Sequence, residues 1–102
     1  MPNLKSDAFY EAHADYCRIC ANANRLKILD LLKSGEAYTV SEIEDATGIA
    51  QSTLSQHLKV MRDQGMLERE KAGVRNYYSI ADQRIVGGLE TIQSIVDEKI
   101  DG

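Results

Sequence analysis

The sequence is poor in cysteine and has no long apolar run, and both absences exclude classes of protein. Only two of its 102 residues are cysteine, too few for the disulfide framework of a small secreted domain. No apolar stretch approaches the roughly 20 residues that a membrane span needs. The start, MPNLKSDAF, also lacks the apolar segment of a signal peptide. We therefore expect a cytoplasmic protein without a membrane partner.

The sequence also lacks the side-chain groupings of an enzyme. It contains no recognisable acid/base pair and no nucleophile elbow. A Cys-x-x-Cys motif is present at Cys17 and Cys20, but it lacks the strand context of a thioredoxin-like redox site. We therefore expect a binding protein that has no enzymatic activity and requires no cofactor.

Positive charge is in short supply as well, and the net charge of −4 argues at first against a nucleic-acid partner. The charge is unevenly distributed, however. Residues 51–80 carry five basic and three acidic side chains, a net charge of +2, whereas residues 36–50 carry four acidic side chains and no basic one. A face that binds nucleic acid would therefore lie within residues 51–80. Its nonspecific affinity should be weak, because that affinity comes mostly from phosphate neutralisation.

The stretch from Gln51 to Gly65 predicts an amphipathic helix with an unusual polar face. Leu54, Leu58 and Met61 recur at the i, i+4, i+7 spacing of a helix that packs on a core. The opposite face offers small hydroxyls and an amide, which can donate to and accept from base edges, and then basic side chains that suit phosphates. Taken alone, the pattern fits an ordinary surface helix equally well.

The segment before this helix favours the DNA-reading interpretation. Ser41–Ala50 predicts a short helix in which Ser41 and Glu44 form a capping box and Gly48 provides the C-terminal stop. A helix, a turn that contains glycine and a second helix make a helix-turn-helix.

The segment after the helix predicts a β-hairpin. Two strand-like runs, Met66–Lys71 and Arg75–Ile80, are joined by the three-residue loop Ala72-Gly73-Val74. Tyr77 and Tyr78 would point to opposite faces of the second strand. A helix-turn-helix followed at once by a hairpin is a winged helix.

The segments NRLKILDLL and TVSEIEDATGIAQSTLSQHLKVMRDQGMLEREKAGVRNYYSI resemble the ArsR/SmtB family of winged-helix transcriptional repressors over roughly residues 22–80. The specific features are the SxxSQHL core, the glycine turn and the paired tyrosines of the wing. The resemblance implies a homodimer that binds operator DNA and releases it when an effector binds. We expect a mainly α fold of order α-α-α-α-β-β-α, in one domain spanning residues 1–102.

We predict the DNA contacts from the polar face of the central helix and from the wing. The predicted DNA-binding residues are Gln51, Ser52, Thr53, Ser55, Gln56, Lys59, Arg62, Lys71 and Arg75. His57 falls near the buried edge of the helix, so we expect it to hold the helix in position. Many members of the family carry basic residues where Glu70 and Val74 stand, which leaves the contribution of this wing open.

Three further helices are predicted outside this motif. Ser6–Asn22 carries Phe9, Ala12, Tyr16 and Ile19 on one apolar stripe. Ala23–Lys33 carries so many leucines and isoleucines that it should be the most buried helix, and Arg25 at its start resembles a family arginine that we interpret as structural. Asp82–Lys99 is apolar on two sides, and Gly87-Gly88 within it suggests a kink or a close backbone approach. We expect the first and last helices to form the dimer interface.

His13, Cys17 and Cys20 follow one another at i, i+4, i+7 on the flank of the first helix. Two thiols and an imidazole could bind Zn²⁺ or another thiophilic metal ion, or the thiols could react with an oxidant. The alternative is that Cys20 packs as a small apolar residue while His13 is solvated.

Two metal sites familiar in the family are absent, since no histidine follows His57 and no thiol occurs at residues 39–42. Two possibilities for the effector remain. A metal ion or a thiol oxidant acts at Cys17 and Cys20, or the effector acts at another site and the thiols are not involved. A winged helix used only for protein contacts is the remaining alternative.

Overall fold

The computed structural model describes residues 2–102, which form five α-helices and a small three-stranded antiparallel sheet. The elements in chain order are α1 (Asp7–Cys20), α2 (Ala23–Leu32), β1 (Tyr38–Thr39), α3 (Val40–Thr47), α4 (Gln51–Asp63), β2 (Leu67–Ala72), β3 (Arg75–Ile80) and α5 (Arg84–Asp101). The winged helix-turn-helix class is confirmed. The sheet order is β1-β3-β2, so it contains one short strand that the sequence did not predict.

The core lies between α2, α3, α4 and the sheet. Three side chains of α2, Ile28, Leu29 and Leu32, are fully buried, so this helix is the central one, as predicted. Ile43 of α3 packs in the same cluster. Truncating a buried leucine or isoleucine to alanine costs about 2–5 kcal/mol, and these residues therefore fix the frame on which α4 is mounted.

The first two helices meet at Asn22, which begins α2 rather than ending α1. The backbone of Asn22 is extended and its side chain accepts a hydrogen bond from the backbone N–H of Arg25 at 3.1 Å. This N-cap ends α1 at Cys20 instead of Asn22, which corrects the predicted boundary. At the other end of α1, Ser6 accepts from the N–H of Phe9 at 3.1 Å and is the N-cap that the sequence indicated.

Thr39, and not Ser41, caps α3. The Thr39 hydroxyl accepts from the N–H of Glu42 at 3.2 Å, and the Glu42 carboxylate accepts from the N–H of Thr39 at 2.8 Å. The predicted capping box was thus two residues late, because β1 leads directly into the helix. The helix ends at Thr47, where Gly48 adopts a φ of 75° and its N–H bonds to the Glu44 carbonyl at 2.8 Å, so the predicted glycine stop is confirmed.

The wing turns in two residues rather than the predicted three. Ala72 pairs with Arg75, which leaves Gly73 and Val74 as the turn. Gly73 has a φ of 63°, and glycine at the first turn position suits a tight two-residue hairpin. Tyr78 is buried and Tyr77 is half-buried, which confirms that they lie on opposite faces of β3.

The helices at the two ends of the chain leave much of their apolar surface exposed. On α5, Ile92 is 61% exposed and Ile100 is 77% exposed. Of the stripe predicted for α1, Ile19 is buried and Tyr16 is half-buried in one protomer, whereas Phe9 and Ala12 are exposed. A Cβ atom added at Gly87 or Gly88 would meet no heavy atom within 4 Å among the described residues. The predicted close backbone approach therefore does not occur within one protomer.

Candidate nucleic-acid interface

The helix α4 has one apolar stripe in the core and one polar face in solvent. Leu54, Leu58 and Met61 are buried with at most 1% of their surface exposed. The predicted DNA-binding residues Gln51, Ser52, Thr53, Ser55, Gln56 and Lys59 are all exposed, and Arg62 is half-buried. The structure therefore brings the predicted polar side chains together on one accessible surface.

The N-terminal end of α4 is open. Its N-cap is Ala50, which makes no side-chain hydrogen bond, and no acidic residue stands in the first turn. The N–H groups of that turn have no capping side chain, and the helix dipole places partial positive charge there. An open helix start with small hydroxyl side chains is suited to approach a phosphate backbone and the base edges beside it.

One basic residue of α4, Lys59, already has an acidic partner within the helix. Lys59 donates a hydrogen bond to the Asp63 carboxylate at 2.7 Å, one helical turn away. The hydrogen bond from Lys59 is the main cause that lowers the pKa of Asp63. Exposed pairs of this kind contribute little stability, so Lys59 can exchange this partner for a phosphate at little cost.

His57 is joined to α2 by a hydrogen bond that the sequence did not reveal. Arg25 Nε donates to His57 Nδ1 at 3.0 Å in a partly buried environment. Burial and then the Arg25 guanidinium lower the pKa of His57. His57 is half-buried, in agreement with the expectation that it lies at the edge of the recognition face. No periodic pattern links two residues that are 32 positions apart.

In the wing, Lys71 pairs with Asn76 and Arg75 pairs with Ala72, next to the turn. Both basic side chains are exposed, as a phosphate contact requires. Arg75 also borders a cavity beside the start of α3, together with the acidic residues Glu42 and Asp45. The pKa of Glu42 is lowered mainly by its hydrogen bonds to Thr39, with a smaller contribution from Arg75. The acidic start of α3 therefore offsets part of the positive charge that Arg75 brings to the wing.

The two cysteines border an apolar cavity of about 450 Å³ between α1, α2 and α5, which also includes His13, Leu26 and Leu89. Cys17 is exposed and Cys20 is half-buried. Burial, and then proximity to Cys17, raises the pKa of Cys20, so Cys20 retains its proton more strongly than an ordinary thiol. Within residues 2–102 no group of three or more His, Cys, Asp or Glu side chains is placed to hold a metal ion. A metal site at His13, Cys17 and Cys20 therefore stays a prediction, and it would require these side chains to rearrange.

These features define a class of protein. A polar recognition helix, mounted on the core by an apolar stripe and followed by a hairpin wing, is the DNA-reading unit of winged helix-turn-helix regulators. Across residues 2–102, every helix is too short or too polar to cross a membrane.

Comparison with known proteins gives the family. The model of the bacterial regulatory protein arsR family matches residues 22–69. The transcriptional repressor PagR of Bacillus anthracis is 34% identical, over 83% of this chain and 85% of PagR. The chain belongs to the arsR family, and it is a DNA-binding transcriptional regulator rather than an enzyme.

Two further relatives extend the comparison. The HTH-type transcriptional regulator Rv0324 of Mycobacterium tuberculosis is 38% identical over 78% of this chain but only 35% of its own length, so this chain spans about a third of that relative. The solution structure of the homodimeric winged helix-turn-helix DNA-binding domain of Mb0332 from Mycobacterium bovis superimposes with a TM-score of 0.80, at 32% identity, and covers 95% of this chain and 92% of that one. The resemblance drawn from the sequence is thus confirmed for both fold and family.

Proposed function

We propose that the protein is a cytoplasmic, homodimeric repressor that binds a two-fold symmetric operator and leaves it when a thiol-directed effector acts on Cys17 and Cys20. The observation that carries the DNA-binding part is the exposed face of α4, where Ser52 and Gln56 stand opposite the buried stripe. Amide and hydroxyl side chains in this position can form the paired hydrogen bonds that distinguish one base from another in the major groove.

The dimer is formed by α1 and α5, the N- and C-terminal helices of one domain. Their exposed apolar residues give the self-complementary surface that a two-fold interface needs, and they are Phe9, Tyr10, Ile92, Ile95, Val96 and Ile100. The homodimeric state of the Mb0332 domain supports this assignment. Two recognition helices related by this axis would read half-sites about 34–36 Å apart.

Within each half-site, the contacts divide by chemistry. Gln51, Ser52, Thr53, Ser55 and Gln56 read base edges or the sugar-phosphate chain at the open helix start. Lys59, Arg62, Lys71 and Arg75 neutralise phosphates, and so they contribute affinity without sequence preference. Because the total charge is −4, discrimination between sequences depends mainly on the first group and on dimerisation.

The effector step is a reaction of the two thiols. An oxidant such as a disulfide or a hydroperoxide takes two electrons and two protons from Cys17 and Cys20, and an S–S bond forms between them. Residues three apart on a helix have Cβ atoms about 5–6 Å apart, whereas a disulfide needs about 3.5–4.5 Å. Oxidation must therefore distort the last turn of α1. A change in α1 alters the dimer interface and hence the angle between the two recognition helices.

A gel shift with the DNA upstream of the protein's own gene, compared with random DNA at two salt concentrations, tests this proposal. We expect binding that prefers the upstream fragment, with a loss of about 5- to 150-fold on oxidation, the usual size of allosteric coupling. The Cys17→Ser and Cys20→Ser variants should each abolish the response, because the bond needs both sulfurs.

Two results would contradict the proposal. Equal binding to upstream and random DNA would reject an operator in that fragment, and no binding at all would favour a winged helix that contacts only proteins. A double variant, Cys17→Ser with Cys20→Ser, that still responds to oxidants would place the effector elsewhere.

A further inference from the structure

The helix α4 is attached to the rest of the fold mainly by apolar contacts. Among the side chains of residues 2–102, one hydrogen bond joins α4 to another element, from Arg25 Nε to His57 Nδ1 at 3.0 Å. The other side-chain hydrogen bond on α4, between Lys59 and Asp63, lies within the helix. The start of α4 has no capping side chain, whereas α1, α2 and α3 are capped by Ser6, Asn22 and Thr39.

The chemistry of the pair fixes the state of the histidine. A guanidinium can only donate hydrogen bonds, so Nδ1 of His57 must be the acceptor. The imidazole is then neutral and carries its proton on Nε2. A second proton on the ring would turn Nδ1 into a donor facing a cation, and the bond would be lost.

The position of the Arg25–His57 hydrogen bond on α4 allows it to restrain rotation of the helix. His57 follows Gln56 directly and precedes Leu58, so it stands between the base-reading face and the buried stripe. Leucine and methionine contacts are not directional and tolerate small rotations of a helix about its axis. A directional hydrogen bond on the flank resists such a rotation. Recognition geometry must be held to within about 0.5 Å and 10–20°, so a rotation of that size would misplace Gln56 and Ser52 together.

We infer that Arg25 is a positioning residue for base reading, and that it acts through His57 by fixing the rotation of α4 on α2. This inference rests on the proposed operator binding and adds to it a residue outside the DNA-contacting surface. Arg25 is half-buried and lies on α2, at the third position after the cap Asn22. It would therefore affect the choice between DNA sequences without contributing a phosphate contact.

A double-mutant cycle tests the inference. The variants are Arg25→Gln, His57→Ala and the two combined, with Lys27→Gln as the matched control because Lys27 is an exposed cation on the same helix. Each is measured for binding to operator and to random DNA over a range of salt, and for unfolding by urea. Arg25→Gln and His57→Ala should each reduce the operator-to-random ratio by roughly tenfold, the order expected for one hydrogen bond to a charged group. The double variant should lose no more than either single one.

A conservative variant separates positioning from a general loss of structure. His57→Gln keeps an amide oxygen that can accept from Arg25, so it should retain most of the operator-to-random ratio that His57→Ala loses. Lys27→Gln should leave the ratio unchanged. The same measurements on His57→Gln remain decisive if Arg25→Gln proves too unstable to study.

Three results would overturn the inference. In the first, the losses of the two single variants add in the double variant, and the dependence of DNA affinity on salt falls by about one unit of slope in Arg25→Gln. This result would show that Arg25 contacts a phosphate itself. A lower free energy of unfolding with an unchanged operator-to-random ratio would show a purely structural residue. A ratio lost equally in His57→Gln and His57→Ala would show that the acceptor atom has no role. A fourth result is distinct from these three. If the parent protein binds operator and random DNA equally well, the proposed function itself is wrong.

Discussion

Lys59 and Asp63 form an exposed ion pair on α4, with the ammonium nitrogen 2.7 Å from the carboxylate oxygen. The pair lies on the C-terminal half of the helix that we assign to DNA. In the free protein, the Asp63 carboxylate thus compensates the positive charge of Lys59. DNA phosphates would repel this carboxylate because both are negatively charged. Lys59 must leave Asp63 to reach a phosphate, and Asp63 then stays near the DNA backbone without a partner.

Removing the charge of Asp63 should therefore strengthen DNA binding. We expect Asp63→Asn to strengthen binding to operator and random DNA alike, because the effect involves phosphates and not bases. Lys59→Ala should do the opposite and reduce the salt slope by about 0.9. Fluorescence anisotropy over a salt series measures both. Asp97→Asn, which removes one acidic charge from α5, is the control, and an equal gain from it would assign the effect to net charge alone.

The base-reading residues should behave differently from the basic ones. Gln56→Ala and Ser52→Ala should each cost about 1–3 kcal/mol on the operator and little on random DNA, if each removes a base contact. Gln64→Ala provides the control, since this exposed amide lies just beyond the end of α4. Competition gel shifts with operator and random fragments give the ratio directly. A similar loss on both kinds of DNA would place these side chains on the backbone of the duplex.

The exposed polar face of α4 could be predicted from sequence because it depends on spacing within one helix. The buried Leu54 and Leu58 and the exposed Ser52 and Gln56 follow from a period of 3.6 residues, which local order alone produces. The hydrogen bond between Arg25 and His57 has no such origin. This hydrogen bond depends on how α2 and α4 pack against each other, and the sequence around either residue does not indicate the position of the other.

The errors at the edges of elements have the same cause. The strand β1 is only two residues long and exists because Tyr38 pairs with Tyr78 on a distant strand. Because the sequence does not reveal that pairing, it predicts Thr39 to lie in a loop and Ser41 to be the N-cap of α3. Spacing alone is also not enough to establish the predicted metal site. The i, i+4, i+7 pattern places His13, Cys17 and Cys20 beside one cavity, but it does not direct their ligand atoms to a common point.

The capping of α3 gives a test of stability. Thr39→Ala removes the hydroxyl that accepts from the N–H of Glu42, and it should lower the free energy of unfolding by about 0.5–2 kcal/mol. Ser41 is exposed, so Ser41→Ala should change that free energy by no more than about 0.5 kcal/mol. Urea denaturation of both variants makes the comparison. A larger effect at Ser41 than at Thr39 would restore the capping box inferred from the sequence.

His57 should make stability depend on pH. Burial and the Arg25 guanidinium lower its pKa from the ordinary value of 6.5, so the unfolded chain binds this proton at a higher pH than the folded chain does. Above pH 6.5, His57 is neutral in both states, and the free energy of unfolding does not change with pH through this residue. It falls as the pH drops from there towards the lower pKa of the folded state.

Urea unfolding at about pH 7.5 and about pH 5.5, on either side of the ordinary histidine pKa, measures this effect. His57→Gln should lose less stability over that interval than the parent protein does. Equal losses in the parent and in His57→Gln would assign the pH dependence to other groups.

The exposed isoleucines of α5, with Ile92 61% and Ile100 77% accessible in one protomer, connect repression to the abundance of the protein. In the proposed dimer, which covers these side chains, two recognition helices bind two half-sites at once. While most chains are single, the number of dimers rises with the square of the total amount, because each dimer consumes two chains. Halving the cell's supply would then cut the number of repressing dimers to about a quarter. Growth without new synthesis of the protein would therefore relieve repression more steeply than the protein concentration falls.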